Sequence, residues 1–229
     1  GVYFGISNSD AHRMTHSADF SEVLGRSLAM TSNRVSHLFD FRGPSFTLDS
    51  ACSSSLVATH LAVRALRAGD CDLAVVGAAN LILDQSVTTA FKETGFLAPD
   101  SCSRSFDAGA AGYGRSEGGG VMILKRLSKA LADEDRMYAI VRGTAVNHNG
   151  ATHGIVAPSQ SAQENLISQA WRESGIAPSR ASFVEAHGSG TRLGDEIEAR
   201  ALDAVFTREE NQQLRVGSAK SNLGHLEAA

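Results

Sequence analysis

The sequence has few cysteines and no excess of positive charge. Its three cysteines, in 229 residues, are an odd number without close spacing, which indicates neither a disulfide framework nor a cysteine-rich zinc site. Cysteine usage of this kind favours a reducing, cytoplasmic compartment. The formal net charge of −4 gives no basic surface of the type that binds nucleic acid. We therefore expect neither disulfide bonds nor a nucleic-acid partner.

The sequence also lacks long apolar runs. No apolar segment approaches the length needed to span a membrane, and the first residues, GVYFGIS, do not form a signal peptide. The chain contains no fixed-period repeat, no low-complexity tract and no linker that would divide it. A hydrophobic content of 42% and a charged content of 20% are typical of a soluble globular protein with one sizeable core or two small ones.

Strand-like apolar runs alternate with helical patterns along the chain, which predicts a layered α/β architecture. The run at residues 72–78 is continuously apolar, as in a strand of a parallel sheet that is covered on both faces. The other predicted strands are residues 2–6, 45–48, 121–125, 138–146, 182–186 and 214–217.

Three helix starts are predicted from capping-box spacing, in which an N-cap residue is followed three residues later by Glu. These patterns begin at Asp19, Ser161 and Asp195. Residues 98–120 are rich in small and polar residues and lack periodicity, which indicates a long functional loop. Shorter helices are predicted near residues 35–39, 88–94 and 128–132.

The segment FTLDSACSSSLVATHLAVRALRAG, residues 46–69, combines a strand end, a tight polar turn and a mostly apolar helix that closes at Gly69. Cys52 lies where the turn becomes the helix. Unpaired N–H groups and the positive end of the helix dipole favour a thiolate at this place, and they could hold an oxyanion. From position alone, two interpretations remain open: a nucleophile and a small buried cysteine.

Three predicted strands end in the polar segments SACSSS, EAHGSGT and SAKSNLGH. Because parallel α/β sheets place their sites at the carboxyl ends of strands, these segments could converge. The Cys52 thiol, the His187 and His225 imidazoles and the Lys220 ammonium would then share one pocket. Taken singly, a histidine beside glycines is more often a loop residue, and a lone lysine is most often a solvated charge.

Three blocks resemble, in order and at comparable separations, the signature blocks of the β-ketoacyl synthase family: GPSFTLDSACSSSLVATHLA, VEAHGSGTRLGDEIEARAL and GSAKSNLGHLEAA. The intervening segment SFDAGAAGYGRSEGGGVMILKRLSKAL is similar to that family as well. The triple serine after the cysteine resembles modular or iterative type I polyketide synthases more than stand-alone fatty-acid enzymes. The resemblance implies a thiolase-like layered α/β/α/β/α fold.

The resemblance covers the whole chain but only part of a family domain. It implies that residues 1–229 are a partial ketosynthase domain, without the family's N-terminal strand and helix and without its C-terminal glycine-rich segment. The sequence opens in a strand, lacks an initiator methionine and stops as a helix begins. We accordingly expect an internal piece of a longer polypeptide, incomplete at both ends, that does not turn over by itself.

The resemblance also implies roles for individual residues. Cys52 would accept an acyl chain from a thioester. His187 and His225 would stabilise the enolate that forms when a malonyl-type extender on an acyl carrier protein loses carbon dioxide. Lys220 would act as a fixed charge that orders the surroundings of His225. The implied reaction is a decarboxylative Claisen condensation in polyketide biosynthesis, and the implied assembly is a homodimer that works with an acyl carrier protein.

The hydroxyl groups of Ser189 and Thr191 would bind the amides of the phosphopantetheine arm. Two positions depart from the family's usual pattern, since Ser189 replaces a threonine and Glu196 replaces a proline after Gly-Asp. The first keeps a hydroxyl and the second suits a helix start, so neither change is expected to affect catalysis. No metal or redox cofactor is implied, and His12 and His16 lack a third ligand.

Other functions remain open. The nearest is a fatty-acid or polyunsaturated-fatty-acid condensing enzyme with the same mechanism, whereas the paired histidine blocks disfavour a thiolase. A non-catalytic chain-length or scaffold partner is the alternative outside enzymes, although the retention of Cys52, His187 and His225 argues against it. Residues 114–118, GRSEG, match a hydrolase nucleophile elbow, but that motif needs a strand before it and a helix after it, and here a loop and a strand are predicted.

Overall fold

The computed structural model describes residues 1–7, 10, 19–206 and 213–229, which form two compact units. The first unit contains Gly1–Val87, Ser116–Ile140 and Leu226–Ala229, and the second contains Thr88–Arg115 and Val141–His225. His12 and His16 lie outside the described residues. None of the helices within the described residues is long and apolar enough to cross a membrane.

A four-stranded sheet forms the centre of the first unit. Its strands are β1 (Val2–Gly5), β2 (Ser45–Leu48), β3 (Leu73–Asn80) and β4 (Gly118–Lys125), in the order β2-β1-β3-β4. The central strand β1 is parallel to both β2 and β3, whereas β4 runs antiparallel to β3. All four strands agree with the predicted ones apart from their ends, and the sheet is parallel except at the β4 edge.

The helices are short or of moderate length. Asp19 caps the first of them by accepting a hydrogen bond from the Ser21 N–H (3.2 Å), as the capping pattern predicts, and Gly69 closes α3 with a φ of +85°. Among the described residues the α-helices are α1 (Phe20–Arg26), α2 (Ala29–Leu38), α3 (Ser54–Ala68), α4 (Ser86–Glu93), α5 (Leu127–Ala132), α6 (Gln160–Ser174), α7 (Arg192–Val205) and α8 (Lys220–Leu223).

Helix α3 packs closely on the sheet because its buried face is built from small residues. The core of the first unit consists of Tyr3, Ala58, Ala62, Ala65, Leu66, Ala74 and Val76. The approach is so close that a Cβ atom on Gly5 of β1 would lie 2.6 Å from the carbonyl carbon of Ser54. The first residues of α3 therefore lie directly against the end of β1.

We expect Gly5→Ala to lower the free energy of unfolding by roughly 1–3 kcal/mol, because backbone atoms of α3 must move to admit the methyl group. The matched control is Gly25→Ala in α1, where a Cβ atom meets nothing within 4 Å and alanine is the better helix former. Denaturant unfolding of the intact natural protein measures both variants. Equal stability of the two would contradict the close packing of α3 on β1.

The second unit contains a small parallel pair, β5 (Phe183–Glu185) and β6 (Arg215–Gly217), with α6 and α7 packed together beside it. Its core joins Ala181, Ala186, Leu202 and Phe206, and the Trp171 ring meets the Phe206 ring edge-on at 5.6 Å. The chain leaves β5 directly into the segment that carries His187, and it leaves β6 into α8, which begins with Lys220.

The strand predicted at residues 138–146 is wrong. Among the described residues, none pairs with this segment as a neighbouring strand, and Tyr138 is 88% exposed. The Thr144 N–H instead donates to the Glu173 carboxylate of α6 (3.3 Å). An apolar alternation predicts a strand only when a partner strand can accept its hydrogen bonds.

Two of the predicted capping boxes are also misplaced. Helix α6 begins one residue before Ser161, and Ser159 is its N-cap, accepting a hydrogen bond from the Ala162 N–H (3.3 Å). Helix α7 begins at Arg192, three residues before Asp195. Asp195 does not cap this helix, because its carboxylate accepts hydrogen bonds from residues outside α7.

Candidate active site

In the first unit, Cys52 lies in a single turn of 3-10 helix, Ala51–Ser53, immediately before α3. The Asp49 carboxylate accepts a hydrogen bond from the Ala51 N–H (2.8 Å), and the Ser54 hydroxyl donates to the Ala51 carbonyl (2.6 Å). The Ser54 hydroxyl also accepts from the Ser50 N–H (3.0 Å). The turn is thus tied at several points, and Cys52 is exposed at its middle.

The backbone of this turn is strained at Ala51, which has a φ of +55° although it is not a glycine. Left-handed conformations cost an ordinary residue about 1–2 kcal/mol and persist where neighbouring hydrogen bonds enforce them. Such strain is concentrated at functional sites. The sequence predicts Cys52 in the first turn of an α-helix, and the structure replaces that turn with a tighter one that leaves the thiol at the surface.

In the second unit, His187 and His225 lie together, as predicted. Their ring centroids are 5.5 Å apart with the rings nearly perpendicular (82°). His225 is buried, with 2% of its surface exposed, and its backbone N–H donates to the Gly114 carbonyl (2.7 Å). The Tyr113 ring packs against the His225 ring at 5.0 Å. Residues of the long loop therefore hold His225 beside His187.

Both imidazoles are held in the neutral form. Burial lowers the pKa of His225 to about 3, and the neighbouring Lys220 charge, together with the repulsion that a protonated His187 would add, acts in the same direction. The pKa of His187 is also lowered, first by desolvation and then by Lys220, against the opposing charges of Glu198 and Asp195. His187 keeps solvent-exposed surface, but the protein atoms packed around its ring are close enough to desolvate it. At neutral pH both rings can donate an N–H without carrying charge.

The Glu198 carboxylate anchors the loop that carries His187. In the sequence, the spacing of Asp195 and Glu198 predicts only a helix cap. The two oxygens of Glu198 accept hydrogen bonds from the His187 N–H (2.7 Å) and the Gly188 N–H (2.8 Å). One turn earlier in α7, the buried Asp195 accepts from the Phe106 N–H (2.7 Å) and the Gly190 N–H (3.1 Å). Both carboxylates thus bind the loop that precedes their own helix, a role that the capping-box spacing does not indicate.

Lys220 is half-buried at the start of α8. Its charge reaches both histidines, since it lowers the pKa of each. The structure therefore places His187, His225 and Lys220 in one group within the second unit.

Ser189 and Thr191 lie between His187 and α7. Ser189 is buried, and its hydroxyl lies 3.1 Å from the Thr191 hydroxyl. These two side chains are paired with each other in this structure, so a role for them in binding the phosphopantetheine arm stays a prediction. In the described ranges, no group of three or more His, Cys, Asp or Glu side chains could hold a metal ion.

Residues 114–118 lack the geometry of a hydrolase nucleophile elbow. The segment is followed by strand β4, which begins at Gly118, and a nucleophile elbow requires a helix there. The serine-hydrolase interpretation therefore has no structural support.

Comparison with known proteins identifies the family. The model of the β-ketoacyl synthase N-terminal domain matches residues 1–130, and that of the C-terminal domain matches residues 138–229. The chain is 47% identical to a phenolphthiocerol/phthiocerol polyketide synthase of Mycobacterium tuberculosis, over 100% of this chain and 12% of that protein. It is 46% identical to the lovastatin diketide synthase of Monascus pilosus, over 100% of this chain and 9% of that protein.

Solved structures agree with the predicted fold. The oxazolomycin ketosynthase domain of Streptomyces albus matches with a TM-score of 0.91 and 42% identity, over 100% of this chain and 40% of that one. The module 6 ketosynthase of the bacillaene synthase of Bacillus subtilis matches with a TM-score of 0.93 and 40% identity over the same shares. The thiolase-like fold is confirmed, and the chain spans 40% of these structures and only 12% and 9% of the two curated relatives. This chain belongs to the β-ketoacyl synthase family.

Proposed function

We propose that this chain carries catalytic groups of a ketosynthase that performs decarboxylative condensation in polyketide biosynthesis. The observation that supports this most directly is the pair of neutral imidazoles, His187 and His225, 5.5 Å apart beside the charge of Lys220. Two uncharged N–H donors near a fixed cation suit a reaction in which negative charge collects on one oxygen atom. The similarity to polyketide synthases over the whole chain favours this product class over fatty acids.

The first proposed step loads the enzyme. The Cys52 sulfur attacks the carbonyl carbon of an acyl thioester, a new C–S bond forms, and the carrier thiol leaves with a proton. The exchange of one thioester for another is nearly neutral in energy, so the step depends on positioning. The exposed thiol in its tied turn, at the start of α3, suits this role.

The second proposed step generates the carbon nucleophile. A malonyl-type thioester loses carbon dioxide as the bond between its α-carbon and its carboxylate breaks, and the electron pair moves toward the thioester oxygen. His187 and His225 donate their N–H groups to that oxygen. Lys220 supports the same charge. Burial, assisted by the Lys220 charge, lowers the pKa of both rings, so each ring is neutral and has one N–H to donate.

The third proposed step forms the product. The α-carbon attacks the acyl carbonyl on Cys52, a C–C bond forms, and the sulfur leaves as a thiolate. The β-ketoacyl chain then remains on the carrier protein. The substrate's own carboxylate supplies the electron pair, so this sequence of steps calls for no metal or redox cofactor.

The proposed partners follow from this chemistry. An acyl carrier protein presents both thioesters, and Ser189 and Thr191 bind its phosphopantetheine arm once their mutual hydrogen bond opens. We further propose a homodimer in the cytoplasm, as the family resemblance and the cysteine usage suggest. A single partial ketosynthase domain over residues 1–229 is part of the same proposal.

One experiment tests the function as a whole. The intact natural protein is incubated with an acyl thioester and a malonyl thioester, both on a carrier protein, and the products are measured by mass spectrometry. We expect an acyl adduct on Cys52 and a β-ketoacyl carrier protein. Modification at other positions with Cys52 untouched, and no condensed product, would instead favour a non-catalytic scaffold.

The protonation state of the histidines predicts an unusual pH profile. A histidine with the ordinary pKa of about 6.5 is only about 3% neutral at pH 5. Because the pKa of His225 is lowered to about 3 and that of His187 is lowered in the same direction, both rings lose their neutral form only at more acidic pH. We expect the acid limb of malonyl decarboxylation by the intact protein to lie at a lower pH than a histidine of ordinary pKa would give. An acid limb with a midpoint near the ordinary histidine pKa would contradict this assignment.

A further inference from the structure

A pair of serines joins the loop of His187 to the helix of Lys220. The Ser105 hydroxyl donates to the Gly188 carbonyl and accepts a hydrogen bond from the Ser221 hydroxyl (2.9 Å). The Ser221 oxygen in turn accepts from the Ser105 N–H (3.3 Å). Each proton is used once, so the three bonds form a consistent directional chain, which we call the serine bridge (Ser105 and Ser221).

The serine bridge completes the bonding of the backbone around His187. Glu198 binds the N–H groups of His187 and Gly188, and the Ser218 hydroxyl donates to the His187 carbonyl (3.2 Å). The remaining carbonyl, that of Gly188, is the one that Ser105 binds. The N–H and C=O groups of both residues are therefore fixed. One of the four contacts comes from Ser218, in the segment that leads to Lys220, and another comes from Ser105, which is bonded to Ser221 of α8.

Close packing leaves this junction little freedom to shift. Gly188 has a φ of +41°, and a Cβ atom there would lie 2.7 Å from the Ser218 Cβ, 3.0 Å from a Phe106 ring carbon and 3.2 Å from the Ser105 Cβ. The long loop, the His187 loop and the segment before α8 thus meet at one glycine. A hydrogen bond at this point can transmit the position of α8 to His187.

We propose that Ser105 is a positioning residue. It holds α8, the helix that begins with Lys220, in a fixed position relative to the His187 loop during decarboxylation. Ser105 is half-buried in the long loop, and it touches no group assigned to the reacting atoms. It acts through Gly188 on one side and through Ser221 on the other. This inference rests on the proposed function, because its readout is the decarboxylation step.

Ser105→Ala should slow malonyl decarboxylation by the intact natural protein about tenfold, the size expected for loss of a bridging hydrogen bond at a site with exact geometry. The effect should fall on kcat, with KM for the malonyl thioester unchanged, because the substrate contacts are untouched. Acyl loading of Cys52 should stay within about twofold of the wild-type rate, since that step is proposed for a different residue. Ser161→Ala, which removes an exposed hydroxyl that lies 3.2 Å from the Ser159 hydroxyl, is the matched control.

A pH profile separates positioning from general loss of structure. The charged groups that act on His187 are Lys220, which lowers its pKa, and Glu198 and Asp195, which raise it, and the neutral ring that faces it is His225. Glu198 and Asp195 belong to α7, and their carboxylates accept hydrogen bonds from backbone N–H groups that Ser105→Ala leaves in place. If α8 shifts away in Ser105→Ala, the pKa of His187 rises, and the acid limb of decarboxylation moves to higher pH.

A double-mutant cycle gives the decisive test. Ser221→Ala should match Ser105→Ala, and the double variant should lose no more than either one, because both hydroxyls belong to one chain of hydrogen bonds. Independent losses that multiply to about a hundredfold would overturn the proposal, as would a Ser105→Ala variant that behaves like the Ser161→Ala control. The proposal would also be overturned if Ser105→Ala lost loading and decarboxylation equally, with lowered thermal stability and with the acid limb of decarboxylation at the wild-type pH. Failure of the wild-type protein to load or to decarboxylate would instead reject the proposed function itself.

Discussion

Cys52→Ala is expected to abolish condensation, with a loss on the order of 10⁴-fold, while malonyl decarboxylation continues. The two activities separate because the proposed mechanism assigns them to different groups. The acyl intermediate forms on the sulfur, whereas the charge of decarboxylation collects near His187 and His225. A variant without the thiol therefore keeps the step that releases carbon dioxide and loses the step that forms the carbon–carbon bond.

The measurement follows both steps in the intact natural protein. Carbon dioxide release reports decarboxylation, and mass spectrometry of the β-ketoacyl carrier protein reports condensation. Cys102→Ala is the matched control, because Cys102 is also an exposed cysteine but lies in the long loop of the second unit. An acyl adduct that survives in Cys52→Ala and disappears in Cys102→Ala would move the nucleophile to the other cysteine.

The secondary structure around Cys52 could be predicted because it depends on residues that are close together in the sequence. The apolar strand before the turn, the small-residue helix after it and the left-handed Gly69 at its end all follow from periodicity and from C-cap chemistry. The 3-10 turn could not be predicted in the same way. It depends on the Asp49 and Ser54 hydrogen bonds that hold Ala51 at a positive φ, and an alanine gives no signal for that conformation.

The roles of the acidic residues of α7 could not be predicted from local spacing. Asp195 and Glu198 have the separation of a capping box, and a local rule assigns them to their own helix. In the structure their carboxylates bind N–H groups of the preceding loop and of Phe106, which is 89 residues away in sequence. Only the tertiary fold brings that loop within reach, so the sequence could place these residues near His187 without showing what they bind.

The strand predicted at residues 138–146 fails for a related reason. Alternating apolar residues indicate only that a segment can be half-buried. A sheet forms only where a second strand supplies the matching hydrogen-bond donors and acceptors. The sequence led us to expect that His187 and His225 converge, because each lies in a polar segment that begins at the carboxyl end of a predicted strand. Their mutual contact, with the rings 5.5 Å apart, was an expectation of convergence that the second unit bears out.

His225→Ala should have the opposite effect to Cys52→Ala, because malonyl decarboxylation is lost and acyl loading is kept. We expect malonyl decarboxylation to fall about 10²–10³-fold, the usual cost of removing one donor from a site that stabilises an oxyanion. Acyl loading of Cys52 should persist, because that step uses neither imidazole in the proposed mechanism. The loss should be almost independent of pH between 5 and 7, because the pKa of His225 is lowered to about 3 and the ring removed was neutral throughout that range.

Because His225 is buried against Tyr113 and His187, its truncation leaves a cavity, and a second variant must separate lost chemistry from lost packing. His225→Asn restores an N–H donor, and it should recover part of the decarboxylation rate if donation is the function of the ring. His153→Ala, at an exposed position, is the matched control and should leave both activities unchanged. Full decarboxylation in His225→Ala would remove this residue from the mechanism. A parallel collapse of loading, decarboxylation and thermal stability in both His225 variants would show that His225 supports the fold and does not donate to the enolate.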